Sequence, residues 1–251
     1  MKIEKINKSY GEKKVVKDVS FSLPKGKLIS LIGPNGAGKS TVLNIITRLI
    51  SQDNGEVFVA GKEIKEWKSK ELAKKLAILT QNNNITMKLT VYELISFGRF
   101  PYSGSKLNAE DHKKVEEAIK FMELEDLRDR FIDQLSGGQL QRAYIAMTLA
   151  QDTEFIFLDE PTNNLDIYHS SNMMKLLRRL TNELGKTVIT VLHEINFASA
   201  YSDYIGAFLD GDLFLFDEAS KVMTKENLKK LYKVDFDILE INNKIISIYY
   251  W

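Results

Sequence analysis

The chain has no cysteine, which removes disulfides, thiolate metal sites and cysteine nucleophiles and suits a reducing compartment. Its three histidines are scattered, so a histidine metal cluster is not expected. Net charge is nearly absent too: 35 basic residues against 34 acidic ones give +1, without the electrostatic footprint of a nucleic-acid binder. No apolar run approaches the ~18 to 20 residues that cross a bilayer. The N-terminal stretch MKIEKINKSY has no continuous apolar core for a signal peptide. A soluble, unexported protein is expected, whose link to any membrane comes through a partner. No repeat, low-complexity tract or long proline-rich segment divides the chain. What is present is 44% hydrophobic content over 251 residues, enough core for one large α/β domain or two small ones.

The stretch Gly33-Pro34-Asn35-Gly36-Ala37-Gly38-Lys39-Ser40-Thr41 satisfies every fixed position of the phosphate-loop pattern. Before it, Lys27 to Ile32 (KLISLI) has the look of a short buried strand, and after it Thr41 to Ile50 (TVLNIITRLI) reads as a helix. Glycines there let consecutive N–H groups converge on an anion, and the helix adds its positive end. Lys39 would reach the β and γ phosphates of a bound nucleotide, and the Ser40 hydroxyl would hold Mg²⁺.

Strand character runs through Met1 to Leu23, where Val19, Phe21 and Leu23 alternate with serines and Tyr10-Gly11 breaks the pattern. Asp53-Asn54-Gly55 reads as a turn before a strand over Glu56 to Ala60, and Leu76 to Thr80 as a buried strand ending at Gln81 and a polar loop of three asparagines, Asn82 to Asn84. Thr90 and Glu93 fit a capping box for a helix to about Phe97, ended by Gly98-Arg99-Phe100-Pro101-Tyr102. Asn108 is placed to cap a helix over Ala109 to Glu123. No convincing strand lies between Gln81 and about Gln151, so a helical subdomain is expected over about residues 82–151, inserted in the core of a single domain spanning residues 1–251. Strands are expected over Glu154 to Leu158 and Thr187 to Leu192, with a helix over Asp166 to Leu184 between them. Asp210-Gly211 looks like a tight hairpin. A helix near Glu226 to Tyr232 and two strands around Asn242-Asn243 close the chain.

Asp159 and Glu160 end an apolar strand, the setting in which an aspartate coordinates a nucleotide's Mg²⁺ and the next carboxylate polarises an attacking water. Leu135-Ser136-Gly137-Gly138-Gln139 is a second glycine-rich element at a helix start. It reads either as a helix-capping turn or as an anion site for the γ phosphate held by another copy, which predicts a head-to-tail pair enclosing two nucleotides.

GPNGAGKST, LSGGQLQR at Leu135 to Arg142 and FIFLDEPTNNLD at Phe155 to Asp166, in that order, resemble the nucleotide-binding subunit of an ATP-binding cassette (ABC) transporter over nearly the whole chain. The resemblance implies an α/β fold, a phosphate-loop NTPase core with an antiparallel β subdomain and an inserted α-helical subdomain. It implies ATP and Mg²⁺ as cofactors and ATP hydrolysis as the activity. Tyr10 would then stack on adenine, Gln81 sense Mg²⁺ and the lytic water, and Ser136, Gly137 and Gly138, with Gln139 beside them, grip the opposite subunit's γ phosphate. Asp166 would communicate across the dimer, and His193 contact the γ phosphate. Asn163-Asn164 departs from the serine–alanine or serine–asparagine pair common before Leu165-Asp166.

The implied partners are a second copy, transmembrane permease subunits and, indirectly, an extracytoplasmic substrate-binding protein, with no nucleic acid. The implied location is the cytoplasmic face of a membrane. Gly98 to Tyr102 resembles the matching stretch of importers for iron–siderophore complexes, haem and cobalamin, and ferric siderophore is the expected cargo. Another imported chelate, or a non-transport ABC ATPase acting on ribosomes or DNA, are the alternatives; the latter usually carry paired cassettes or long coiled-coil insertions, which this chain lacks.

Overall fold

Ile3, Ile6, Val16, Val19 and Phe21 are all buried, and their spacing on either side of a turn at Gly11 makes an antiparallel pair, β1 (Lys2–Tyr10) with β2 (Lys13–Ser22). The computed structural model describes residues 1–81, 87–242 and 244–250. These divide into a first unit of residues 1–66 and 177–251 and a second of residues 67–176. In the first unit, β3 (Leu28–Ile32) is buried at every position, as a strand covered on both faces should be. Helix α1 (Lys39–Ile46) follows and stops four residues short of the expected Ile50. Arg48 takes a φ of 62°, and the Thr47 hydroxyl donates back to the Leu43 carbonyl at 2.8 Å, so a left-handed residue ends the helix before its apolar pattern does. Next come β4 (Asn54–Val59), which begins inside the expected turn, and β5 (Lys62–Glu63); they complete a sheet ordered β2-β1-β4-β5.

The second unit opens with α2 (Ser69–Leu72) and β6 (Leu76–Leu79). The expected loop at Asn82 to Asn84 lies outside the described residues. Thr90 and Glu93 form both arms of a capping box on α3 (Val91–Ser96). Gly98 to Tyr102 does not end this helical stretch. The backbone continues through a 3₁₀ turn, Phe97–Arg99, into α4 (Phe100–Ser103). Then come α5 (Ala109–Phe121), capped by Asn108 as expected, α6 (Gly137–Ala150) and β7 (Phe155–Asp159). Among the described residues between Gln81 and Gln151 there is no strand, only an isolated bridge between Thr90 and Phe131. β6 and β7 pair in parallel. Helix α7 (Ile167–Leu184) carries the chain back into the first unit.

There the chain adds β8 (Thr187–Val191), α8 (Ile195–Tyr201), β9 (Tyr204–Leu209) and β10 (Asp212–Glu218). Within this unit β3 lies parallel to both β8 and β9, and β10 runs antiparallel to β9. Asp210 and Gly211 have φ of 50° and 90°, the two positive values a tight hairpin of this hand needs. Helices α9 (Ala219–Val222) and α10 (Lys225–Tyr232) lead to a hairpin of β11 (Asp237–Ile241) and β12 (Lys244–Ile248). Asn243 of the expected turn lies outside the described residues. α8 and α9 were not expected, because stretches of seven and four residues are too short to show helical periodicity. The hairpin is clasped to α8: the Asn196 carboxamide donates to the Ser247 carbonyl at 3.2 Å and accepts from its N–H at 2.8 Å.

The turn between α3 and α4 is held by buried charge. A Cβ on Gly98 would lie 2.1 Å from the Met147 carbonyl of α6, so only glycine lets the turn come that close. Next to it Arg99 and Asp111 form an ion pair at 2.9 Å, their side chains 4% and 1% exposed. The Arg99 guanidinium also donates to the Ala150 carbonyl at 2.8 Å and lies 3.9 Å from the Tyr102 ring. Burial alone raises the Asp111 carboxyl, but hydrogen bonds from the Asn108 N–H, the Ser103 hydroxyl and Arg99 outweigh it and hold the group below its ordinary value. Arg99→Met leaves that carboxylate buried without its cation, and is expected to cost about 3–5 kcal/mol of stability at pH 7. Because the folded value is depressed, the Asp111 contribution is full above the ordinary aspartate value of 3.8 and disappears as pH falls through the lower folded value. Urea unfolding at successive pH values checks both; an Arg99→Met variant as stable as the parent would refute the assignment.

Candidate functional site

The phosphate loop lies in the first unit, and its shape follows from two close approaches of backbone. Gly33 has a φ of 141°, and a Cβ there would sit 2.1 Å from the Phe208 carbonyl of β9. Gly38, with a φ of 94°, would place one 2.7 Å from the Val15 carbonyl of β2. Both positions therefore need glycine. Gly38 is also the N-cap of α1, and no side chain caps that helix, so the loop meets the helix's positive end without an internal oxygen in the way. Lys39 is only 5% exposed, and its ammonium donates to the Gly33 and Pro34 carbonyls at 2.8 and 3.0 Å. The loop thus fixes its own cation. Asn35 and Gly36 are exposed, Ala37 is buried, and Ser40 and Thr41 are half-buried. Burial pushes the Tyr232 phenol of α10 up to about 12, while a hydrogen bond from the Gly33 backbone pulls the other way.

The same unit holds two of the other expected residues. Tyr10 ends β1, 53% exposed, with the Lys8 ammonium 5.8 Å from its ring centre. His193 is exposed, two residues beyond β8 and two before α8.

In the second unit Asp159 is the last residue of β7 and is 7% exposed. Gln81 and Glu160 are brought together by strand register. Leu79 of β6 is opposite Leu158 of β7, so the residues two further along each strand leave the sheet side by side. The Gln81 amide donates to Glu160 Oε2 at 2.7 Å. The Asn163 amide donates to the same oxygen at 3.2 Å. Glu160 itself has a φ of 55°, and Asn164 one of 60°. Asparagine tolerates that left-handed region better than most residues.

Ser136 caps α6 and forms a reciprocal box with Gln139: its N–H donates to the Gln139 side chain at 3.0 Å, and its hydroxyl accepts from the Gln139 N–H at 3.4 Å. The helix-capping arrangement is therefore present. A Cβ on Gly138 would lie 2.6 Å from the His169 ring. That same imidazole pairs with Asp166, whose Oδ1 accepts from the His169 N–H and meets its Nδ1, each at 2.8 Å. The backbone N–H first and then the ring hold the Asp166 carboxyl below its ordinary value. His169 and Asn163 were not among the expected site residues. For His169 the available signal was its place three residues after Asp166 at a helix start; for Asn163 it was the departure from the usual serine.

The expected cation ligands, Ser40, Gln81 and Asp159, all offer oxygen, the donor class Mg²⁺ prefers. The Gln81 amide nitrogen is engaged at Glu160, so its carbonyl oxygen is the atom suited to a cation. Among the described residues no three His, Cys, Asp or Glu side chains converge as a metal cage, and Mg²⁺ held through phosphates needs only one or two protein ligands.

Residues 16–163 match the family model described as ABC transporter. The chain is 50% identical to the petrobactin import ATP-binding protein YclP of Bacillus subtilis, over 100% of this chain and 99% of that one. It is 36% identical to the ferric enterobactin transport ATP-binding protein FepC of Escherichia coli, over 91% and 85% of the two chains. A solved dimeric bacterial ABC transporter cassette superposes with a TM-score of 0.76 at 34% identity, covering 87% of this chain and 98% of that one. The expected fold, with its phosphate-loop core, antiparallel β subdomain and inserted helical subdomain, is the fold of these cassettes.

Gly33→Ala is expected to weaken ATP binding at least about tenfold, since the new methyl must displace a strand carbonyl and adopt a backbone region that belongs to glycine. Gly36→Ala, where a Cβ meets nothing within 4 Å, should be milder. Titration with a fluorescent ATP analogue distinguishes the two, and equal losses would remove the close approach as the cause.

Proposed function

We propose, from the premise that this chain belongs to the ABC transporter family and is one of its ATP-hydrolysing subunits, that it powers the import of a ferric siderophore. The observation that carries the cargo is the 50% identity to a petrobactin import subunit along the whole chain. Haem, cobalamin or another metal chelate is the alternative cargo. In this reading residues 1–251 act as one nucleotide-binding domain, with the helical part over about residues 82–151 as an insertion.

Each residue has a chemical task. The loop from Gly33 to Thr41 wraps the phosphates with N–H groups, and Lys39 supplies the positive charge. Ser40, Asp159 and Gln81 supply the oxygens for Mg²⁺, which when bound draws charge off the β and γ phosphates. Glu160 orients the attacking water and takes its proton. His193 holds the γ phosphate, and Tyr10 stacks on the adenine. Ser136, Gly137, Gly138 and Gln139 close over the nucleotide of a second copy, with Asp166 signalling between the two. Binding energy then drives closure, because only the closed pair offers these extra contacts.

The protein acts at the cytoplasmic face of the membrane through permease subunits, which an extracytoplasmic binding protein loads. No helix among the described residues is long and apolar enough to cross a membrane. Phe97 and Phe100, 47% and 64% exposed on either side of the Arg99 anchor, suit a permease helix seated near residues 81–102. The near-neutral charge supports no nucleic-acid role.

Glu160→Gln is expected to keep ATP binding, trap the closed dimer and lower turnover by about 10²-fold or more. Gel filtration with ATP and a phosphate-release assay check it, and near-normal turnover would take Glu160 out of the reaction. Copurification of the tagged protein from its native membranes should recover a permease that takes up ferric siderophore. Recovery of a sugar or amino-acid permease would overturn the cargo and leave the ATPase intact.

A further inference from the structure

We propose that Asn163 is a positioning residue for ATP hydrolysis, its side-chain amide acting with Gln81 to fix the carboxylate of Glu160 in the orientation that aligns the lytic water. This rests on the reading of Glu160 as the group that orients that water. The last torsion of a glutamate is broad and roughly two-fold, so one hydrogen bond leaves its carboxylate free to swing. Here two amides meet one oxygen from separate parts of the chain. Gln81 comes from the end of β6, 79 residues away, at 2.7 Å. Asn163 comes from the turn three residues on, at 3.2 Å.

The turn does not depend on that side chain. Its backbone is already closed by the Asn163 N–H to the Glu160 carbonyl at 3.1 Å and by the Leu165 N–H to the Thr162 carbonyl at 3.3 Å. The neighbouring Asn164 has its own reason for being asparagine, the φ of 60°. What the Asn163 amide adds is a side-chain donor that reaches Oε2 at 3.2 Å. A hydrogen bond to a charged acceptor is strong enough to matter for the rate.

ATP hydrolysis by the full chain tests this through kcat and KM, read beside thermal melting. Asn163→Ala should lower kcat about tenfold while KM for ATP, nucleotide affinity and melting temperature hold. Asn163→Asp, the same shape with an acceptor facing the carboxylate, should fall further. In a Glu160→Ala background, Asn163→Ala should bring no additional loss in single-turnover rate, because the carboxylate it positions is gone. The inference is overturned if Asn163→Asp turns over like the parent, if the loss appears in KM or melting temperature alone, or if it persists undiminished without Glu160. A Glu160→Ala variant with parental turnover would overturn the role of Glu160 itself, and this inference with it. Asn163→Ala at parental rate beside an inactive Glu160→Ala overturns the inference only.

Discussion

The architecture of the first unit turns on contact between bare backbones. The phosphate loop leaves β3 against the Phe208 carbonyl at a distance that admits hydrogen and nothing larger. Five residues later it passes the Val15 carbonyl under the same condition, and the Lys17 N–H, two residues along β2, binds the Gly211 carbonyl at 2.9 Å. Strand, loop and hairpin are thereby packed without side chains between them. The loop's curvature is fitted to these neighbouring carbonyls, and within it Lys39 is held by carbonyls of the loop itself.

In the second unit the ordering principle is sheet register. Parallel pairing fixes which residues leave two strands together, and here it delivers a carboxamide and a carboxylate, Gln81 and Glu160, to one place. A slip of β6 by one residue against β7 would turn the Gln81 side chain to the opposite face and part it from Glu160. The helical part is secured differently, by the Arg99–Asp111 pair under Gly98. That pair explains why a glycine–arginine dipeptide reads as a helix end in sequence yet behaves as a structural anchor.

Much of this was legible beforehand. The glycine spacing of the loop, the capping residues Thr90 and Asn108, and the Asp210-Gly211 turn each act through local chemistry, so sequence alone carried them. Misjudged boundaries had non-local causes or lacked a period. The end of α1 at Ile46, ahead of the left-handed Arg48, is a backbone choice that its apolar pattern does not encode, and α8 is too short to show one. The contacts of Asn163 and His169 depend on where Glu160 and Gly138 come to rest, and no spacing rule reports that.

The clasp between Asn196 and Ser247 has a consequence for the order in which the molecule is completed. The ribosome releases a chain from its N-terminal end, at some ~5–20 residues per second. The phosphate loop and all of β3 emerge early, and α8, directly behind His193, later. The carboxamide that steadies α8 cannot close its bonds until its partner emerges 51 residues afterwards. A nascent chain that has passed β9 thus carries β2, β3 and β9, against which the loop packs, and has Leu192 bonded to Leu31, while α8 still lacks the contacts of Asn196 with Ser247. Final assembly of that segment waits on the hairpin that carries Ser247.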